Sequence, residues 1–207
     1  MTSNIKDCWL DLWKRIGAVG NPDKPFGDLL AQYSEAHRAY HTISHIEHSL
    51  NELALARYLA INPDEVEFAL WYHDAIYNTR AKDNEELSAS LALDVITGAK
   101  LHKNFGELVA NLIIATKHVI VTDDSDTNLL VDIDLSIFGQ PNDVFDEYEK
   151  QIRKEYEWVT EDAFIEGRRT IMKAFLERSS IYSTQYFQDR YEKQAELNVS
   201  RSVKNLS

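Results

Sequence analysis

The sequence predicts an all-α fold, a bundle of roughly eight to ten helices, and three observations lead there. Apolar residues recur at spacings of three and four along most of the chain, which is the helical period. Seven glycines and four prolines are all that punctuate 207 residues, and no Gly-, Ser- or Pro-rich linker interrupts them. Strand patterns are weak, and Val119-Ile120-Val121 is the one short β-branched run. The length suits a single domain over residues 1–207.

Trp9, Leu10, Trp13 and Ile16 mark a first helix that stops near Gly17 and Gly20. Turns at Asn21-Pro22 and Lys24-Pro25 precede a short helix over about 26–34, and residues 43–61 read as one long helix. Asn62 reads as an N-cap with Pro63 at the first helical position. The helix they open carries Val66, Phe68, Ala69, Leu70, Trp71, Tyr72, Ala75 and Ile76, apolar on nearly every face, so it is expected at the centre of the core. Asp83 or Asn84 caps the next helix, which runs through Leu87, Leu91, Leu93 and Ile96 to Gly98. Helices over about 105–119, 128–138, 142–158, 161–178 and 184–199 follow, with a frayed polar tail over 200–207. The turn Asp123-Asp124-Ser125-Asp126 faintly resembles a calcium loop but lacks its glycine and terminal glutamate, so a solvated loop is expected.

Asp and Glu number 34 against 22 Lys and Arg, a formal charge of −12. That charge gives no general attraction to phosphate backbones and argues against a nucleic-acid polymer as partner. An anion would have to be held by a metal or by a few placed cations. The single cysteine, Cys8, excludes a disulfide framework and a multi-cysteine zinc site, and fits a reducing, cytoplasmic setting. Charged residues from Lys6 to Arg15 leave no signal-peptide core near the N-terminus. No window approaches the run of about 18 apolar residues that a membrane helix needs.

Four of the seven histidines, His37, His41, His45 and His48, fall at spacings of four, four and three, which on a helix makes one stripe. His73-Asp74 sits inside the most apolar helix, where an unpartnered carboxylate is expensive. A divalent cation accepts an imidazole nitrogen and a carboxylate oxygen together and offsets that expense; a buried His–Asp hydrogen bond is the structural alternative. Asp132 and Asp134 lie two apart in a third apolar run, so at most one faces a common site. Lys117-His118 follows an apolar helix, and Asn84-Glu85 begins one.

These residues carry a family resemblance. The order His, then His-Asp, then a distant Asp resembles the signature of the HD superfamily, helical metal-dependent phosphohydrolases. The chain is similar in particular to a branch of compact predicted HD phosphohydrolases. The similarity rests on Tyr40-His41-Thr42 with His45-Ile46, Trp71-Tyr72-His73-Asp74 with Tyr77, Asn84-Glu85 with Ser88-Ala89, and Thr116 with His118. It continues through Asp132-Ile133-Asp134-Leu135 with Gly139, Arg153 with Glu155-Tyr156, Gly167-Arg168, and Arg178 with Ile181-Tyr182, covering roughly 35–200.

The resemblance implies metal ligands His45, His73, Asp74 and Asp134. His41 competes with His45, which is preferred, leaving His41 beside the site or touching substrate; Asp132 competes with Asp134, which is preferred because Leu135 follows it. The ion would be Mn, Fe, Co, Ni, Zn or Mg, one or two per chain. Asp74 would also align the nucleophile, Glu85 or His118 would manage protons, and Lys117, Arg153 and Arg168 would contact phosphate unless they serve as ion pairs between helices. The implied reaction is hydrolysis of a small phosphorylated molecule, a nucleotide among the candidates, by in-line attack of metal-bound hydroxide. Tyr40, Trp71, Tyr72 and Tyr77 could stack a base or belong to the core. Two rival readings are a non-catalytic nucleotide-binding module of HD type and a di-iron oxygenase of HD type, which needs His41 and His118 as further ligands. A ferritin-like di-iron site is excluded, since no Glu precedes a His by three.

Overall fold

A computed structural model of the chain describes residues 4–117 and 122–206. Among them it is all-α, with ten helices and no strand. They are α1 (Ile5–Arg15), α2 (Asp23–Gln32), α3 (Ile43–Ala56), α4 (Pro63–Tyr72), α5 (Asn84–Gly98), α6 (Lys103–Ala115), α7 (Ser125–Asp134), α8 (Asn142–Glu155), α9 (Glu161–Leu176) and α10. The last starts as Gln185–Phe187, passes through a π-helical turn, Gln188–Glu192, and continues as Lys193–Asn205. Short 3₁₀ turns follow α3 (Arg57–Leu59) and α7 (Leu135–Gly139). No helix among the described residues is long and apolar enough to cross a membrane. The run Val119-Ile120-Val121 lies outside the described residues.

One domain is the expectation from length; the chain folds as two compact units, Met1–Val131 and Asp132–Ser207. In the first, α4 is the centre. Val66, Phe68, Ala69, Leu70, Trp71 and Tyr72 are all buried, with α1, α3, α5 and α6 packed around them. Trp9 of α1 meets Trp71 edge-on at 5.4 Å, and Phe68 stacks on Tyr72 at 5.0 Å. Glu67 is the polar exception: burial pushes its carboxyl up, and Arg15 and Arg57, both bonded to it, pull the other way. Gly17 ends α1 in the left-handed region at φ +68°, with Ala18 N–H donating to the Trp13 carbonyl and Gly17 N–H to the Lys14 carbonyl.

Asn62 does precede α4, but its side chain caps nothing. The buried carboxylate of Asp126 instead takes the N–H groups of Ile61 and Asn62 at 2.7 and 2.8 Å and the Asn62 amide at 2.9 Å. The acidic turn expected to be solvated therefore sends its last aspartate inward, because backbone donors ahead of α4 need an acceptor.

In the second unit, Phe138 meets Phe175 edge-on at 5.0 Å and lies 6.2 Å from Phe145. α10 packs against α9 and the Leu135–Gly139 turn. The frayed tail expected from residue 200 is instead helical through Asn205. Two of its polar residues are tied down, Ser202 Oγ donating to Glu149 at 2.9 Å and Arg201 to Asp146 at 2.8 Å, and Val199 just before them is fully buried.

Gly139 is where α10 comes closest to the turn: a Cβ there would sit 2.8 Å from Tyr191 Cγ and nearer still to its Cβ. Those atoms lie at the root of a buried side chain and have little room to move. Gly139→Ala is therefore expected to lower unfolding free energy by about 1–3 kcal/mol, read as a lower urea midpoint.

Candidate metal centre

The centre lies in the first unit, where the C-terminal end of α4 meets the first turn of α3. The four-histidine stripe expected from spacing is broken, because α3 begins only at Ile43 and leaves His37 and His41 in the segment before it. In an unbroken helix the His41 carbonyl would accept from the His45 N–H. Here Arg38 Nη1 donates to that carbonyl at 3.0 Å, and the His45 N–H turns to the Thr42 carbonyl at 3.0 Å.

His73 is the C-cap of α4, and its N–H donates to the Ala69 carbonyl at 2.8 Å. Its Nδ1 lies 2.9 Å from the Leu70 carbonyl. A carbonyl only accepts, so Nδ1 carries a proton and donates to it, and Nε2 points away from the helix. That Nε2 lies 3.1 Å from His45 Nε2 and 3.0 Å from Asp74 Oδ2, and His45 Nε2 lies 3.5 Å from the same oxygen. His45, His73 and Asp74 thus belong to a group able to hold a metal ion. Both imidazoles are 1 % exposed and the Asp74 side chain 19 %, so the cluster opens to solvent on the Asp74 side. Burial pushes the Asp74 carboxyl up, but His73, His41 and His45, with a hydrogen bond from His73, outweigh it and hold the group well below the usual carboxylate range.

The turn after α4 is pinned along its length. Tyr33 donates its hydroxyl to the Trp71 carbonyl at 2.9 Å. Arg38 donates to the carbonyls of Asp74 at 2.7 Å and Ala75 at 2.9 Å. Ser88 Oγ of α5 accepts the Ile76 N–H at 3.0 Å and donates to the Ile76 carbonyl at 3.3 Å. Sequence reasoning missed Tyr33 and Arg38 and left Ser88 without a role. Their partners are main-chain groups, which every residue possesses, so no side-chain motif announces them.

His41 stacks on Tyr77 with centroids 4.1 Å apart and stands edge-on to His45 at 5.9 Å. Of the four aromatic candidates for stacking a base, Trp71 and Tyr72 are core, while Tyr40 and Tyr77 are half-buried. Glu85 lies in the first turn of α5, 3.8 Å from Lys117, whose ammonium donates to Glu86 at 2.5 Å and to the Lys82 carbonyl at 3.3 Å. His118 lies outside the described residues.

Arg153 and Arg168, read as phosphate contacts or as ion pairs between helices, are engaged as ion pairs within the second unit. Arg153 donates to Glu161 and to the carbonyls of Tyr156 and Val159, closing the link from α8 to α9. Arg168 is buried against Tyr148 and Glu149, donating to the Tyr148 hydroxyl at 2.7 Å and to Glu149. The buried guanidinium of Arg168 would be costly without such partners, whereas Arg153 is half-buried and ties the loop between the two helices.

Asp132 accepts from Ser183 N–H at 2.8 Å, Thr184 N–H at 2.7 Å and Thr184 Oγ1 at 2.6 Å, the donors at the start of α10. Burial pushes its carboxyl up to about 6 against those bonds. Asp134 is the last residue of α7 and is half-buried. No protein-family model matches the chain, nor does any curated protein or solved structure.

Asp132→Ala is expected to cost about 1–3 kcal/mol by stranding the two backbone donors, measured by urea unfolding, while metal content by elemental analysis stays that of the parent protein.

Proposed function

We propose that this chain is a metal-dependent phosphohydrolase of the HD class, acting on a small phosphorylated molecule such as a nucleotide. One observation carries the reading: His45 Nε2, His73 Nε2 and Asp74 Oδ2 form a triangle with edges of 3.0–3.5 Å. Ligands about 2.1 Å from a divalent ion are separated by about 3.0 Å in an octahedron and about 3.4 Å in a tetrahedron. The triangle matches one face of such a polyhedron. Two buried imidazole nitrogens and a carboxylate oxygen facing one another this closely need a cation or a shared proton between them.

His45, His73 and Asp74 would hold the ion, and the family resemblance implies Asp134 as a fourth ligand. Asp132 drops out as a ligand because its oxygens are occupied by backbone donors. The mixed nitrogen and oxygen donors suit Mn, Fe, Co, Ni, Zn or Mg. A divalent ion there would supply Lewis acidity toward a phosphoryl oxygen and lower the pKa of a coordinated water.

The chain's own groups supply the rest. Asp74, the most exposed of the three, orients the attacking water. His41, fixed against Tyr77 beside His45, meets the substrate. Glu85 or His118 carries the protons. Lys117 supports phosphate charge by exchanging its surface pair with Glu86, since such pairs are weak. Arg153 and Arg168 take no part. The net charge of −12 favours a small anion over a long polyanion, and the single Cys8 fits a cytoplasmic setting.

Asp74→Ala and His45→Ala are expected to abolish stoichiometric metal by elemental analysis, whereas His41→Ala keeps the metal and loses turnover. Undiminished metal in Asp74→Ala would overturn the site.

Phosphate release from a panel of nucleotides and phosphomonoesters should stop with excess chelator and return with the ion, and heavy-oxygen water should label the phosphate product. A covalent phosphoprotein would overturn direct attack by water. Absence of turnover on the whole panel, with nucleotide binding retained, would transfer the reading to a non-catalytic nucleotide-binding module.

A further inference from the structure

Arg38 has its guanidinium drawn against the candidate centre without pointing at it. Its side chain is fully buried. It lies between the rings of Tyr33 and Tyr77, 5.1 and 5.4 Å from their centroids. Its donors go to Glu35 at 3.0 Å, to the His41 carbonyl at 3.0 Å, and to the Asp74 and Ala75 carbonyls at 2.7 and 2.9 Å. A charge so placed is retained only where several acceptors converge on it. The acceptors here belong to two separate pieces of chain, the His41 segment and the turn that carries Asp74.

We propose that Arg38 is the positioning residue of the centre: by bridging the main chain of His41 to that of Asp74 and Ala75, it presets the Asp74 carboxylate and the His41 imidazole before any ion arrives. The inference rests on the reading of the cluster as a metal site and adds what holds it in register. The geometry of a planar fork explains why arginine stands here. One Nη reaches the carbonyls of both segments and the other takes Ala75, which an ammonium on a flexible stem cannot reproduce. Side chains that orient metal ligands typically govern affinity or activity by about 10–100-fold, and Arg38 does so through the backbone. Tyr77 joins the two functions, since its ring faces Arg38 on the one hand and stacks on His41 on the other.

The test uses the full-length chain stripped of metal and titrated with cobalt(II), read by its visible absorption. Arg38→Lys is expected to bind cobalt about 10–100-fold more weakly and with an altered spectrum. Arg15→Lys, which disturbs an ion pair to Glu67 in the same unit, should lose stability without changing either readout. Equal cobalt affinity and an unchanged spectrum in Arg38→Lys, with binding lost in Asp74→Ala, would overturn the role of Arg38 alone. Failure of the parent protein to bind cobalt, or unchanged binding in Asp74→Ala, would overturn the metal reading itself. Should Arg38→Lys not fold, hydrogen exchange of the metal-free parent protein decides. A preset turn predicts slow exchange at Ala75 and Ile76 that the ion does not change. Fast exchange that becomes slow only with cobalt would show that the ion orders the turn, and would refute the proposal.

Discussion

A helix buried on every face leaves its last carbonyls to be satisfied by protein groups, and α4 is such a helix. Leu70 and Trp71 answer that constraint with the His73 imidazole and the Tyr33 hydroxyl as donors, and the Arg38 guanidinium does the same for the Asp74 and Ala75 carbonyls of the turn that follows. One consequence is chemical. The bond that satisfies the Leu70 carbonyl also fixes the ring of His73 and aims its Nε2 at His45 and Asp74. The requirement that closes the helix therefore assembles the centre.

The same accounting governs the other buried charges. Glu67 sits between Arg15 and Arg57. Arg168 is held by Tyr148 and Glu149, and Asp132 by the amides at the start of α10. In each case hydrogen bonds complete the solvation that burial removes. The His45–His73–Asp74 cluster differs in that its three polar atoms face one another and lie beside an opening at Asp74. A bound cation would satisfy all three at once, which separates a candidate centre from a structural ion pair.

Much of the helical framework was legible because it follows from local rules. The apolar positions of α4, the Pro63 start and the Gly17 stop all depend on neighbours within a turn or two. The π turn within α10 and the helical course of residues 200–205 were not legible. Ser202 and Arg201 look like tail residues until Glu149 and Asp146, some fifty positions earlier, supply their partners. The long helix read over 43–61 likewise stops at Ala56 and tightens into a 3₁₀ turn, in which Arg57 reaches Asp64 and Glu67.

Sequence by itself determined the helical class, the central place of α4 and the residue types of the centre, because periodicity and the expense of burying His73-Asp74 are properties of composition and order. Tertiary structure alone decided that His45 Nε2 lies 3.5 Å from Asp74, why Asp132 is occupied, and that Arg153 and Arg168 hold helices together. It alone found Arg38, whose contacts with Asp74 and Ala75 span 36 and 37 positions. The physical reason is common to all four. A side chain's task is set by which main-chain and charged groups arrive beside it, and those groups come from parts of the chain that no local pattern connects.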